Sequence, residues 1–127
     1  MCPKCKVLVI DDQQDICRLF ARTLSEEGYE VVTADSEQKM KIALAKDNSI
    51  KIVILDILFP YSSGVELFKY IKDNYPQLAV IISSIYPESD QDFLITQAQD
   101  YYCKSESTDF LIKKVDNIFK TKFSYGR

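Results

Sequence analysis

Short apolar runs alternate along the chain with longer stretches whose apolar residues recur at helical spacing. Lys6–Ile10 (KVLVI), residues 30–33 (EVVT), 52–55 (IVIL), 79–82 (AVII) and Asp100–Cys103 (DYYC) are rich in β-branched, aliphatic or aromatic residues. Each run stops at a polar or turn residue, which predicts five strands, the driest of them buried on both faces. Between the strands, Ile16, Leu19, Phe20 and Leu24 mark a helix over about 13–27 with Gly28 as its stop. Met40, Ala43 and Leu44 mark a second, Glu37–Lys46. Leu67, Phe68 and Ile71 mark a third, Gly64–Asn74, which ends before Pro76. Pro87 is placed to open a fourth, over about 87–98 with Phe93 and Leu94 apolar. Leu111, Val115 and Ile118 mark the last, over about 108–120.

Five strands alternating with five helices predict a parallel sheet covered on both faces. Right-handed crossovers and the size of the chain favour a doubly wound α/β sheet of order 2-1-3-4-5. Ligands of such sheets sit beyond the carboxyl ends of the strands. The sequence puts Asp11 and Asp12 after the first strand, Asp56 after the third, Ser83 after the fourth and Lys104 after the fifth. Strand alternation sets Ile52, Ile54 and Asp56 on one side, so this acid tops a packed column.

Composition narrows the chemistry. At 127 residues the chain reads as one domain, 1–127, with its core over about 6–120. A formal charge of −3 argues against nucleic acid as the direct ligand. No apolar run approaches membrane-spanning length, and MCPKCK is not a signal peptide, so the cytoplasm is the expected location. The chain has no histidine, which removes histidine-based catalysis and imidazole ligation together. Cys2 and Cys5 form a C-x-x-C pair before the first strand, with no second pair to complete a zinc site. A thiol-bearing tail is the simpler reading.

Each polar residue at a strand end has an ordinary explanation. Asp11 and Asp12 could cap a helix, Ser83 could belong to a turn, and Lys104 could be solvated. Their convergence on one edge of one sheet favours a site. Three carboxylates brought together repel one another unless a cation joins them, and all-oxygen ligands suit Mg²⁺ or Mn²⁺. Magnesium often completes its shell with phosphate oxygens, a lysine offers the same phosphate a point charge, and a serine can donate a hydrogen bond. A carboxylate can attack phosphorus to give an aspartyl phosphate. The residues therefore point to phosphoryl transfer onto a carboxylate.

With Asp11-Asp12, LDILFPYSSG around Asp56, IISS ending in Ser83-Ser84, and YYCK ending in Lys104, the chain resembles the receiver domains of two-component response regulators. The resemblance runs from about Lys6 to Lys120 and includes the spacing of Asp56, Pro60 and Gly64. It implies a flavodoxin-like receiver fold in which Asp56 accepts a phosphoryl group from a sensor histidine kinase or phosphotransfer protein. Mg²⁺ would be held by Asp12, Asp56 and the backbone carbonyl of Leu58, with Asp11 acting through water. Lys104 would pair with the phosphoryl oxygens, Ser83 would move onto them, and Tyr101 would be the aromatic switch that swings inward. Leu58 and Ile85 would flank the approach of hydrolytic water. Such a domain catalyses only its own phosphorylation and dephosphorylation, and it would act on an output domain or protein that the sequence does not name. No output domain is expected within TKFSYGR after the last helix.

Two departures matter. Ser105 stands where the family has a proline in a cis peptide; a cis Lys104–Ser105 bond would cost about 3–4 kcal/mol, so a trans bond and a rearranged loop are expected. QAQD before the fifth strand lacks the family's usual glycine. The altered loop leaves a competing reading, a protein-binding module of receiver fold that works without phosphorylation. Glu88, Asp90 and Asp92 on the fourth predicted helix, facing Lys113, Lys114, Lys120 and Lys122 near the end, allow a weak homodimer sensitive to salt.

Overall fold

Aliphatic side chains along β1 (Lys6–Ile10) and β3 (Ile50–Asp56) leave almost no exposed face, and the sheet extends outward from this pair. The computed structural model describes residues 4–57, 64–85 and 98–123. Its five strands, with β2 (Glu30–Ala34), β4 (Ala79–Ser84) and β5 (Asp100–Cys103), run parallel in the order β2-β1-β3-β4-β5. The third strand starts at Ile50, two residues before its apolar run, and the fourth continues through Ser84, two residues past its own. Ladder pairing with a neighbour, rather than side-chain polarity, sets those ends.

Four helices lie among the described residues: α1 (Gln14–Glu26), α2 (Glu37–Lys46), α3 (Gly64–Asn74) and a C-terminal helix, Thr108–Ile118. The last passes into a π-helical turn, Phe119–Phe123. The helix expected over 87–98 lies, but for Ala98, outside the described residues. The pleat sorts the core into two layers. Val7, Val9, Ile52, Ile54, Ala79, Ile81 and Tyr102 face α1 and the C-terminal helix, through Phe20, Leu24, Leu111 and Val115. Leu8, Ile10, Val53, Leu55, Val80, Ile82 and Tyr101 face α2 and α3, through Met40, Leu44, Leu67, Phe68 and Ile71.

Glycine is required at two turns. Gly28 has φ +96° just past α1, where the Gly28 and Tyr29 amides donate to the carbonyls of Ser25 and Leu24 and close the helix. Gly64, the first residue of α3, lies so close to the Ile57 carbonyl that a Cβ would collide with it. That contact explains why a glycine follows Asp56 at this spacing: it lets the chain return against the end of β3.

Candidate functional site

The side-chain parity that divides the core also selects the site. Asp11 continues the column of Val7 and Val9, Asp56 that of Ile52 and Ile54, Ser83 that of Ala79 and Ile81, and Lys104 that of Tyr102. Parallel pairing aligns these columns, with Val9 beside Ile54, Asp56 beside Ser83, and Ser83 beside Tyr102. All four polar residues thus cap one face of the sheet at its carboxyl edge.

Asp11 is 1% exposed and fully engaged. Its Oδ1 accepts from the Gln13 amide at 3.0 Å and its Oδ2 from Lys104 Nζ at 2.6 Å. The Gln13 contact is an Asx-type turn, and α1 begins after it with no side-chain cap, so neither acid serves as the N-cap. Asp12 is exposed beside it. Carboxylate oxygens of Asp11, Asp12 and Asp56 lie within 4.8 Å of one another. The group contains only oxygen donors, no thiol and no imidazole, and this matches a hard divalent cation such as Mg²⁺. Leu58, the remaining expected ligand, lies outside the described residues.

Lys104 reaches this cluster without a following proline. Its Nζ stands 2.6 Å from Asp11 and 3.5 Å from Asp56, and its side chain is only 9% exposed. No described peptide bond is cis. The turn after β5 is closed instead by hydrogen bonds: the Lys104 amide donates to the Ser84 carbonyl at 2.7 Å and the Glu106 amide to the Cys103 carbonyl at 2.9 Å. With no cis peptide in this turn, the lysine still arrives at the acids.

Ser83 is buried beside Asp56, and its Oγ has no hydrogen-bond partner among the described residues. A buried hydroxyl left unpaired costs roughly 1–3 kcal/mol, which favours a group beside it that can accept its hydrogen bond. Cys17 lies under the cluster with its thiol donating to the Asp11 carbonyl at 3.3 Å. Burial, together with the Asp11 charge, pushes that thiol up to about 11, so at neutral pH it is a protonated donor. Tyr101 is already inside, packed in the layer beneath α2 and α3. Ile85, by contrast, is more than half exposed.

Sequence reasoning missed the direct contact between Lys104 and Asp11, which depends on how two distant strands align. It also passed over Tyr102, whose hydroxyl donates to the Glu106 carbonyl at 2.7 Å. A tyrosine two residues before the lysine, in a run lacking the usual proline, was the available signal.

Fold and acid cluster together define a flavodoxin-like α/β domain with its candidate site at the carboxyl edge of its sheet. The family model of the response regulator receiver domain matches residues 7–116, and the chain belongs to that family of two-component signalling domains. Response regulator RR06 of Streptococcus pneumoniae is 29% identical over 115 residues, covering 90% of this chain and 52% of that protein. The transcriptional regulatory protein YrkP of Bacillus subtilis is 33% identical over 112 residues, covering 87% and 47%. The chain therefore spans about half the length of the curated relatives it matches. Among solved structures, the response regulator TrrA of Thermotoga maritima, in complex with Mg²⁺-BeF, aligns with a TM-score of 0.80 and 32% identity. That alignment covers 89% of this chain and 97% of the other. No helix among the described residues is long and apolar enough to cross a membrane.

Proposed function

We propose that this receiver domain accepts a phosphoryl group on Asp56 from a sensor histidine kinase or phosphotransfer protein, with Mg²⁺, and so switches an output partner in the cytoplasm. The observation that carries the reading is the buried, unpaired Ser83 hydroxyl next to a carboxylate faced by a lysine. That arrangement suits a tetrahedral oxyanion group seated on Asp56. Asp11, Asp12 and Asp56 would hold the metal, which when bound neutralises charge on the transferring group.

An oxygen of Asp56 attacks phosphorus, forming the P–O bond as the P–N bond to the donor imidazole breaks, and the imidazole leaves to be protonated by solvent. Lys104, 3.5 Å from Asp56, pairs with the incoming phosphoryl oxygens. Burial of both side chains keeps this interaction largely unscreened by salt. Ser83 then donates to a phosphoryl oxygen, gaining the partner it lacks. Tyr101, which pairs with Ile82 one residue before Ser83 and packs in the other core layer, would be the element that reports the change.

The test is intact-mass measurement after incubation with acetyl phosphate and Mg²⁺. A gain of one phosphate that disappears in Asp56→Asn, or when the metal is chelated, is expected. No gain from acetyl phosphate or from any histidine kinase tried would leave a phosphorylation-independent binding module as the better reading.

A further inference from the structure

Lys104 is held on the acid cluster by a turn that has no proline to stiffen it, so something else must hold that turn. We infer that the Tyr102 hydroxyl does so, making Tyr102 the positioning residue for Lys104 in this chain; the inference rests on the role proposed above for Lys104.

Tyr102 is 1% exposed, and its ring is fixed edge-on against Phe20 of α1, with centroids 5.9 Å apart. It packs in the same layer as Leu111 of the C-terminal helix. The ring is thus anchored to two helices while its hydroxyl extends to the loop and donates to the Glu106 carbonyl at 2.7 Å. Glu106 is the fourth residue of the turn that starts at Cys103, with Lys104 and Ser105 at the centre. The near side of the turn is fastened by the Lys104 amide on Ser84, and the far side by Tyr102. Without the far tie, the hydrogen bonds left to Glu106 and Ser105 among the described residues would be the turn's own and the contact of Cys103 Sγ with Ser105 Oγ at 3.1 Å. Burial raises the phenol above its ordinary value, so it remains a neutral donor through the physiological range. A proline at the third position of such a turn locks it in the cis form; here a side chain from the core takes over that duty.

Two measurements test this, one of them independent of phosphorylation. In metal-free protein, Lys104 acetylation by an N-hydroxysuccinimide ester is followed by peptide mapping, with exposed Lys46 as the internal reference. Tyr102→Phe keeps the ring and its Phe20 contact and removes only the tie. Lys104 should then react about fivefold faster relative to Lys46, the effect of losing one neutral hydrogen bond. Adding Ser105→Pro to that variant should return the rate toward wild type, which a general packing role for Tyr102 would not produce. The initial rate of phosphorylation by acetyl phosphate should fall and recover in parallel. Unchanged Lys104 reactivity in Tyr102→Phe overturns the inference, as does acceleration at every lysine alike, which would signal loosening of the whole fold. A wild-type chain that takes no phosphate, together with a selectively unmasked Lys104, would defeat the proposed phosphoryl acceptance and leave the positioning standing.

Discussion

Replacing Lys104 with methionine removes the one cation among the described residues that stands within the acid cluster. Methionine preserves most of the apolar stem, so the change is mainly one of charge. In the folded protein Lys104 Nζ lies 2.6 Å from Asp11 and 3.5 Å from Asp56, with side chains 9%, 2% and 6% exposed for Lys104, Asp11 and Asp56. At an effective dielectric of about 20, the longer pair alone represents roughly 5 kcal/mol of gross attraction. Desolvation cancels part of this, and loss of one partner from a buried pair typically costs about 3–5 kcal/mol. We therefore expect Lys104→Met to lower unfolding stability in EDTA by about 3 kcal/mol, near the lower end of that range because Asp12 stays hydrated. Magnesium should reverse part of the loss, since a divalent ion meets the same carboxylates with no lysine competing for them. Each tenfold gain in affinity returns about 1.4 kcal/mol at saturating metal. The assay is urea unfolding of both proteins with EDTA and across a magnesium titration. Equal stabilisation of wild type and variant by magnesium would refute the reasoning, because Lys104 and the metal would then not share the acids. A variant as stable as wild type in EDTA would refute it too.

Four further outcomes are expected. Asp12→Ala, at an exposed position, should leave the urea midpoint nearly unchanged while abolishing magnesium-dependent phosphorylation; undiminished magnesium affinity by titration would remove Asp12 from the metal site. Gly64→Ala should destabilise the fold by about 2 kcal/mol or more, because its Cβ meets the Ile57 backbone rather than a side chain that can move, and thermal unfolding will read it. Asp47 is held down to about 2, first by the Lys6 ammonium at 2.5 Å and then by Ser49. A folded value below the ordinary one, about 4, means this stabilisation is complete above pH 4 and is lost as pH falls toward 2. Asp47→Asn should flatten that part of the acid limb in urea titrations between pH 5 and pH 2, and an unchanged limb would count against the pair. Finally, aliphatic Ile85 cannot orient water, so the phosphorylated protein should hold its phosphate and Leu58→Asn with Ile85→Glu should hasten loss about tenfold, measured after donor removal.

Much of this protein could be read along the chain. Periodicity located the strands and the described helices to within a few residues, because a sheet buried on both faces demands uninterrupted β-branched and aliphatic runs. The same runs end at the residues that form the site, since a parallel sheet collects the carboxyl ends of its strands on one edge. Alternation even predicted that Asp56 tops the column of Ile52 and Ile54, and the core layer beneath α1 contains both. What one dimension could not supply was alignment between strands. Asp11 and Lys104 are 93 residues apart, and their 2.6 Å contact exists only because β1, β3, β4 and β5 stack in one register. The loop after Lys104 shows the same division. Sequence alone marked Ser105 as a missing constraint, but not its replacement, which depends on where the Tyr102 ring is wedged between two helices and how far its hydroxyl then reaches. Local pattern determines which face and which end of a strand a residue occupies; distances across the sheet arise from packing, and it was packing that decided whether the lysine arrives.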